Sequence, residues 1–458
     1  MPNYDAIIIG TGQSGPALAR RLVATGWKVA IIERKLFGGT CVNTGCTPTK
    51  TLIASAYAAH VARRAADYGV RIEGSINVDM KAIKARKDAV VAPSRNGIER
   101  SLKKLQGCTV YEGHGRFVAE KKVAVNGAEL AADHIFLNVG ARAAIPPIPG
   151  LDRVPYLTNS SMMDIDFLPA HLIILGGSYV GLEFAQAYRR FGSEVTVIEL
   201  APRLIPREDE DVSQAVADFL KEEGIDVRVD SKVAGVEKRG NSISVKVESA
   251  GKNSEVVGTH VLVAIGRQPN TNDLGLDAAG IATDSHGYIQ VDEHLRTNIP
   301  GIWAMGDCNG RGAFTHTSWN DFEIVAANLL DNEQRSVKDR ITAYALYTDP
   351  PLGRAGMTEV EVRKTGKPAL IATLAMEDVS RAFERGETKG FMKVLVDRDS
   401  KQILGASLLG LAGDEVIHCI LDVMYAKAPY TVMQHAVHIH PTVSEFIPTM
   451  LGDLKALR

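Results

Sequence analysis

An apolar run, a glycine-rich loop, an amphipathic stretch and a second apolar run ending in glutamate occur twice in this 458-residue chain, at one spacing. In the first copy YDAIIIG, from Tyr4 to Gly10, leads into GTGQSG. PALARRLVATG then has helical periodicity, and KVAIIE ends at Glu33, 23 residues after Gly10 (33 − 10). In the second copy His171–Leu175 leads into GGSYVG, LEFAQAYRRFG follows, and EVTVIE ends at Glu199, again 23 residues after its first glycine (199 − 176). A strand feeding a helix feeding a parallel strand crosses over right-handed and covers its sheet on both faces, so each copy predicts a βαβ unit of an α/β fold. The glycines then have separate tasks. Gly10 and Gly176 make a tight turn, Gly12 permits close approach of a pyrophosphate, and Gly15 and Gly181 let helix pack on strand. Glu33 and Glu199 stand where an acid binds a ribose hydroxyl. Two units mean two dinucleotides. The second motif departs from the pattern at Ser178, the smallest substitute for the middle glycine.

Between the units, Thr47–Asp67 and Asn77–Leu105 predict long solvated helices, and Val110–Val125 short strands around Gly113 and Gly115. HIFLNVGARAAIPPIPG is a strand ending in Gly140 and a linker at Pro146, Pro147 and Pro149. The second unit closes alike in HVLVAIGRQPN, with Gly266 in the part of Gly140. PGIWAMGDCNG then runs a strand into Asp307, which suits a polar contact to a cofactor and, taken alone, a turn. The rest alternates strands such as FMKVLVD with helices such as DEVIHCILDVMYAKA and has no glycine fingerprint, predicting a separate α+β domain. The expected division is 1–149 and 267–335 around the first unit, 150–266 around the second, and 336–458 at the C-terminal end. A net charge of −2 gives no footprint for nucleic acid or an anionic membrane. Five cysteines are too few for a disulfide framework, and Met1–Asp5 runs into a strand without a secretory leader, so a cytoplasmic location is expected. No apolar run reaches the ~18 residues of a membrane span.

GGTCVNTGCTPTK, Gly38–Lys50, sets Cys41 and Cys46 five residues apart at the mouth of a helix. Five helical residues rise about 7.5 Å, beyond the Cα separation a disulfide accepts, so a bridge between them needs irregular backbone. Asn43 and Gly45 supply poor helix formers, and Pro48 suits a first turn, which predicts a helix from near Thr47 with Cys46 at its N-terminus. The partial positive charge there favours a thiolate. A metal pair or two unrelated thiols are the alternatives at this spacing alone.

In order along the chain, GTGQSG with Glu33, GGTCVNTGCTPTK, GGSYVGLE with Glu199, AIGRQPN, AMGDCN, YTDPPLGRAGMTE and HIHPTVSE resemble the class I pyridine nucleotide–disulfide oxidoreductases. These include lipoamide dehydrogenase, glutathione reductase and mercuric reductase. The resemblance implies two Rossmann-like domains and a C-terminal dimerisation domain. It implies FAD held by Gly10, Gly12, Gly15, Glu33, Thr40, Lys50, Gly140 and Asp307. NADH, or NADPH, would be held by Gly176, Tyr179, Gly181, Glu199, Gly266 and Arg267. Electrons would pass from nicotinamide through FAD to a Cys41–Cys46 disulfide and on to a small-molecule acceptor. Cys46 would be the flavin-side thiol and Cys41 the interchange thiol, with Lys50 and Glu183 an ion pair beside them and Tyr179 an aromatic lid. His440, oriented by Glu445, matches an acid–base histidine that serves the partner subunit of a homodimer. Four residues separate Cys46 from Lys50, which places both on one helical face.

The resemblance also sets the acceptor question. Lipoamide dehydrogenases carry a signature nearer CLNVGCIPSK. Mercuric reductases share the serine of the second loop, but normally end in a cysteine pair and replace the histidine by an aromatic residue. This chain has no cysteine after Cys419 and no N-terminal CxxC domain, so it resembles a mercuric-reductase-like branch with disulfide chemistry intact. Dihydrolipoamide oxidation or metal-ion reduction are the alternatives, and an NADH oxidase or a sensor the lesser ones. Glu199 favours NADH over NADPH, with Arg203 and Arg207 acting against it. Cys108, Cys308 and Cys419 are read as structural.

Overall fold

The computed structural model describes residues 3–457. The chain begins with β1 (Asn3–Ile9), α1 (Ser14–Ala24) and β2 (Val29–Glu33). The strands pair in parallel, Ala6 opposite Val29 through Ile9 opposite Ile32. The apolar run of β1 does not alternate because both faces are covered: Ile7 and Ile9 pack with Phe117 and Leu130, Ala6 and Ile8 with Leu18 and Leu22. Each buried isoleucine contributes about 1.5–3 kcal/mol. The short α2 (Gly39–Asn43) carries Cys41, and α3 (Cys46–Arg63) begins at Cys46 itself, one residue before the expected start. A break at Thr44 and Gly45 separates the helices, which is the irregular backbone a close cysteine pair requires.

After α4 (Met80–Lys103), β3 (Cys108–Glu112) joins β2, and β4 (Arg116–Ala119), β5 (Lys122–Val125) and β6 (Ala128–Leu137) complete a sheet of order β3-β2-β1-β6-β5-β4. The helix α3 is only partly solvated: Leu52 and Ala56 enter a core with Leu182 and Ala185 of the second unit. At the proline-rich exit, β7 (Ala141–Ala143) leaves the first sheet.

The second unit repeats the first as β8 (His171–Leu175), α5 (Tyr179–Phe191) and β9 (Glu194–Ile198). It continues through α6 (Glu210–Glu222) and β10 (Asp226–Arg228), then an antiparallel β11 (Lys232–Arg239), β12 (Ser242–Ser249) and β13 (Lys252–Gly258), and closes with β14 (His260–Val263). The chain returns along β15 (Arg267–Pro269), antiparallel to β7, so exit and return form one two-stranded crossing. Asn270 N donates to Gly140 O and Ala144 N to Gly266 O, both at 3.0 Å, which places the two equivalent glycines at this crossing. Next β16 (Ile302–Ala304) pairs in parallel with β6 and delivers Asp307 to the first sheet, and α7 (Thr315–Leu330) packs on α1.

The C-terminal part is a six-stranded sheet in which β17 (Ala343–Leu346), β18 (Leu352–Gly356), β19 (Ala369–Ala375), β20 (Phe391–Asp397), β21 (Ile403–Leu409) and β22 (Lys455–Ala456) lie in the order β17-β18-β21-β20-β19-β22. The helix Gly413–Tyr425 covers it. His440 lies in the loop before the helix Phe446–Gly452, and Glu445 occupies the N-cap position of that helix. Among the described residues no helix is long and apolar enough to cross a membrane.

Candidate active site

The two glycine loops have the same local construction. Gly10 has φ +105° and Gly176 φ +111°, a region that L side chains rarely adopt. A Cβ on Gly15 would stand 2.3 Å from Gly10 O, and one on Gly181 2.1 Å from Gly176 O. Ser178 has φ −110°, so serine costs nothing in backbone strain there, and the departure from the motif is conformationally neutral. The acids brace the loops. Glu33 accepts from Thr11 N (3.0 Å), Thr11 Oγ1 (2.6 Å) and Lys35 N (2.8 Å), while Glu199 accepts from Gly177 N (2.6 Å) and Ala201 N (2.7 Å).

The first loop opens into a cavity of about 1050 Å³ lined by Gly10, Gly12, Glu33, Thr40, Gly140 and Asp307 and also by Cys41, Cys46, Lys50 and Glu183. Tyr179 and Arg267 of the second half reach it as well. Gly15 lies behind the loop against Gly10, while Gly176, Gly181, Glu199 and Gly266 belong to the second unit, outside this lining. His440 and Glu445 are also outside it. The residues fit the FAD that the resemblance implies. Asn138 Nδ2, beside Gly12 and Gly15, is buried with no hydrogen-bond partner among the described residues, a donor free for a polar ligand atom. Asp307, raised by burial and restrained by the Arg267 guanidinium at 3.1 Å, completes the polar end.

Cys41 and Cys46 are free thiols within hydrogen-bonding reach of one another. Cys46 is lowered to about 6, chiefly by the hydrogen bond from Cys41, against burial, with further help from Thr315 and from the charge of Lys50. Cys41 moves the opposite way: sharing its proton with Cys46, and burial, raise it. The pair therefore keeps one negative charge, on Cys46 at the first turn of α3. Lys50 donates to Glu183 Oε2 at 2.7 Å, and Glu183, nearly buried, takes Tyr347 N at 3.1 Å on its other oxygen. The Lys50 ammonium also lies 4.5 Å from the Tyr347 ring centroid.

Three participants had no assigned role in the sequence reading: Thr315, whose hydroxyl is 3.2 Å from Cys46 Sγ, Tyr347 and Asn138. Tyr347 and Asn138 lie inside quoted stretches, YTDPPLGRAGMTE and HIFLNVGARAAIPPIPG, whereas Thr315 carries no local signal. His440 Nδ1 is 3.0 Å from both Glu445 oxygens, and its side chain is 73% exposed. Cys308 is fully buried, bonded to Leu137 O and Met305 O, and pushed up to about 12 by that burial; Cys108 is raised by burial to about 11. Among the described residues no group of three or more His, Cys, Asp or Glu side chains is arranged to hold a metal ion.

Residues 4–321 match the family profile described as pyridine nucleotide-disulphide oxidoreductase, and residues 342–451 the dimerisation domain of that family. The chain is 36% identical over 463 residues to the probable pyridine nucleotide-disulfide oxidoreductase RclA of Escherichia coli, covering 99% of this chain and 100% of that one. It is 32% identical to a mercuric reductase of Bacillus cereus, over 94% of this chain and 70% of that enzyme. A solved structure, the Cu(II) complex of HOCl-induced flavoprotein disulfide reductase RclA from Escherichia coli, superposes with a TM-score of 0.90 at 35% identity, covering 98% of this chain and 100% of that one.

Proposed function

This chain belongs to the pyridine nucleotide-disulphide oxidoreductases, flavoprotein enzymes, and from that premise we propose that it uses NADH to reduce a small-molecule disulfide at Cys41 and Cys46. The observation that carries the reading is the asymmetric thiol pair, with Cys46 drawn down to about 6 and Cys41 pushed up, in the cavity that the first glycine loop opens into. FAD, when bound, supplies the two-electron exchange between nicotinamide and sulfur. The chain's own residues divide the thiol chemistry. Cys46 holds the charge, stabilised by Cys41, Thr315 and Lys50. Cys41 keeps its proton until a base removes it, and then attacks the acceptor disulfide, forming a mixed disulfide and releasing one thiolate. The Cys46 thiolate then attacks the Cys41 sulfur of the mixed disulfide, displaces the second acceptor thiolate and closes the Cys41–Cys46 disulfide. Two electrons and the single Cys41 proton thus leave with the acceptor as one thiol and one thiolate, and the thiolate takes its proton from solvent. His440, oriented by Glu445, is the base that takes the Cys41 proton and returns it to a leaving thiolate, acting on the cysteines of a partner subunit.

NADH is the proposed coenzyme because β9, the second strand of that unit, runs into Glu199, which opposes a 2′-phosphate. Arg203, the nearest cation in sequence, donates to Pro206 O at 3.2 Å and Glu208 O at 3.3 Å, which engages it within the protein. The division at 149, 266 and 335 belongs to the same reading and is supported by the β7–β15 crossing at its first two boundaries. A divalent metal ion is the second acceptor class, supported by the Cu(II) complex of the Escherichia coli relative.

The test offers lipoamide, oxidised glutathione, quinones, Hg(II) and Cu(II) to FAD-loaded protein with NADH and NADPH in turn. Disulfide-dependent NADH oxidation that stops when Cys41 is alkylated is expected. Disulfide reduction that survives this alkylation removes the mechanism, and turnover confined to a metal ion selects the second class.

A further inference from the structure

A buried carboxylate outside both glycine loops ties the second nucleotide unit to the C-terminal sheet. Glu208 is 2% exposed, and Arg354, on β18, is 1% exposed. Glu208 Oε2 accepts from Arg354 Nε at 3.0 Å and from Arg354 Nη2. Its other oxygen accepts two phenol groups, Tyr344 at 2.7 Å and Tyr179 at 3.1 Å. Tyr179, within the second glycine loop GGSYVG, opens α5 and lines the large cavity, whereas Tyr344 lies on β17 outside that lining. The rings meet edge on, 5.4 Å apart at 75°. Tyr344 in turn stacks on Phe314 at 5.4 Å and 16°, and Phe314 adjoins Thr315, the residue bonded to Cys46.

Rotation of this carboxylate is opposed on every side. Turning Glu208 away would strand the Arg354 charge in the interior, a large penalty. Arg354 is itself held by Met357 O and Asp209, and Asp209 by Lys393 Nζ at 2.9 Å and Glu359 N at 2.9 Å. Burial and the Glu208 charge push both phenols up, so both remain donors over the working pH range.

We infer that Glu208 is a positioning residue for the nicotinamide nucleotide: through Tyr179, and with Tyr344 as a second strut, it fixes the ring standing where the second glycine loop meets the thiol cavity. The ring is then a preformed wall for the part of the nucleotide that reaches the cavity. Freeing it adds the entropy of ordering one aromatic side chain to each binding event, about three- to tenfold in affinity. This rests on the reading that the second glycine loop holds the nucleotide.

The experiment titrates NADH by nucleotide fluorescence into FAD-loaded protein already reduced with dithionite, so that no hydride transfer consumes the nucleotide, and measures KM for NADH and for the acceptor, with wild type, Tyr179→Phe, Tyr344→Phe and Glu208→Gln. Thermal unfolding confirms that each variant is folded. Tyr344→Phe is the decisive variant, because Tyr344 is not among the residues that line the cavity. Weaker NADH binding by about three- to tenfold is expected for both phenylalanine variants, with the acceptor KM unchanged. Glu208→Gln keeps an acceptor oxygen for both phenols and should lose less than Tyr179→Phe. Wild-type NADH affinity in Tyr344→Phe, or equal changes in the two KM values, overturns the inference. Absence of saturable NADH binding by the wild type defeats the underlying reading instead.

Discussion

Cys46 is held as a thiolate by three neighbours of unequal weight, and that order is measurable. The Cys41 hydrogen bond lowers it most, the Thr315 hydroxyl next and the Lys50 charge after that, while burial and Glu183 oppose. In the dithiol protein the thiolate fraction should rise with pH through about 6, as seen in thiolate absorbance or in alkylation rate, with the second thiol ionising far higher. Removing a stabiliser of the charged form moves the midpoint upward, so Cys41→Ala should shift it most, Thr315→Val less and Lys50→Met least. An unchanged midpoint in Thr315→Val would remove the hydroxyl from the site. Lys50 was legible because a helix brings every fourth residue back to one face. Thr315 was not: it lies 269 residues from Cys46, and a threonine at a helix start ordinarily reads as a cap. Here that task falls to Thr317, whose hydroxyl bonds Phe314 N, leaving the Thr315 hydroxyl for the sulfur.

Both βαβ units were readable at the level of elements because their determinants are local. A strand, a turn at φ near +110° and a helix packed on that turn lie within one short stretch. The Gly181 contact gives the sharpest test, since a Cβ there would meet Gly176 O at 2.1 Å and must push α5 off β8. Gly181→Ala should cost about 1–3 kcal/mol of stability and abolish NADH binding while FAD is retained. Urea unfolding and an NADH titration measure both. Ser178→Gly should leave NADH binding near wild type, because Ser178 already has ordinary extended backbone. Wild-type affinity in Gly181→Ala would show that the loop tolerates the methyl and that the packing argument fails. The β7–β15 crossing and the Glu208–Arg354 tie were not legible, because each joins residues more than a hundred positions apart with no periodicity to announce the pairing. The prolines after Gly140 marked an exit from the first sheet but carried no information about the strand that returns beside it.

At the scale of the whole molecule, His440 and Glu445, the proposed acid–base pair, stand outside the cavity of the thiols in their own chain. His440 is 73% exposed on the C-terminal domain, next to Ile439 at 80% and near Val437 at 101%, and neither it nor Glu445 lines the cavity of Cys41 and Cys46. Apolar side chains that open to solvent beside a histidine, on the part of the chain matching a dimerisation domain, are what a subunit interface requires. The proposed homodimer thus has a functional consequence, with His440 of each subunit completing the other's thiol site. His440→Ala alone should leave reduction of the flavoprotein by NADH fast and slow thiol–disulfide turnover by about 10²–10⁴. Equal turnover with a disulfide substrate would end that role. Mixed dimers then separate the two geometries. When a Cys41→Ser chain is co-assembled with a His440→Ala chain, each homodimer is inactive. Action across subunits leaves one complete site in the heterodimer, pairing the intact cysteines of the second chain with the intact histidine of the first. Action within one chain leaves none. Activity should therefore appear on mixing and subunit exchange, in proportion to the heterodimer fraction, and its absence in a verified heterodimer would return His440 to its own chain's cysteines.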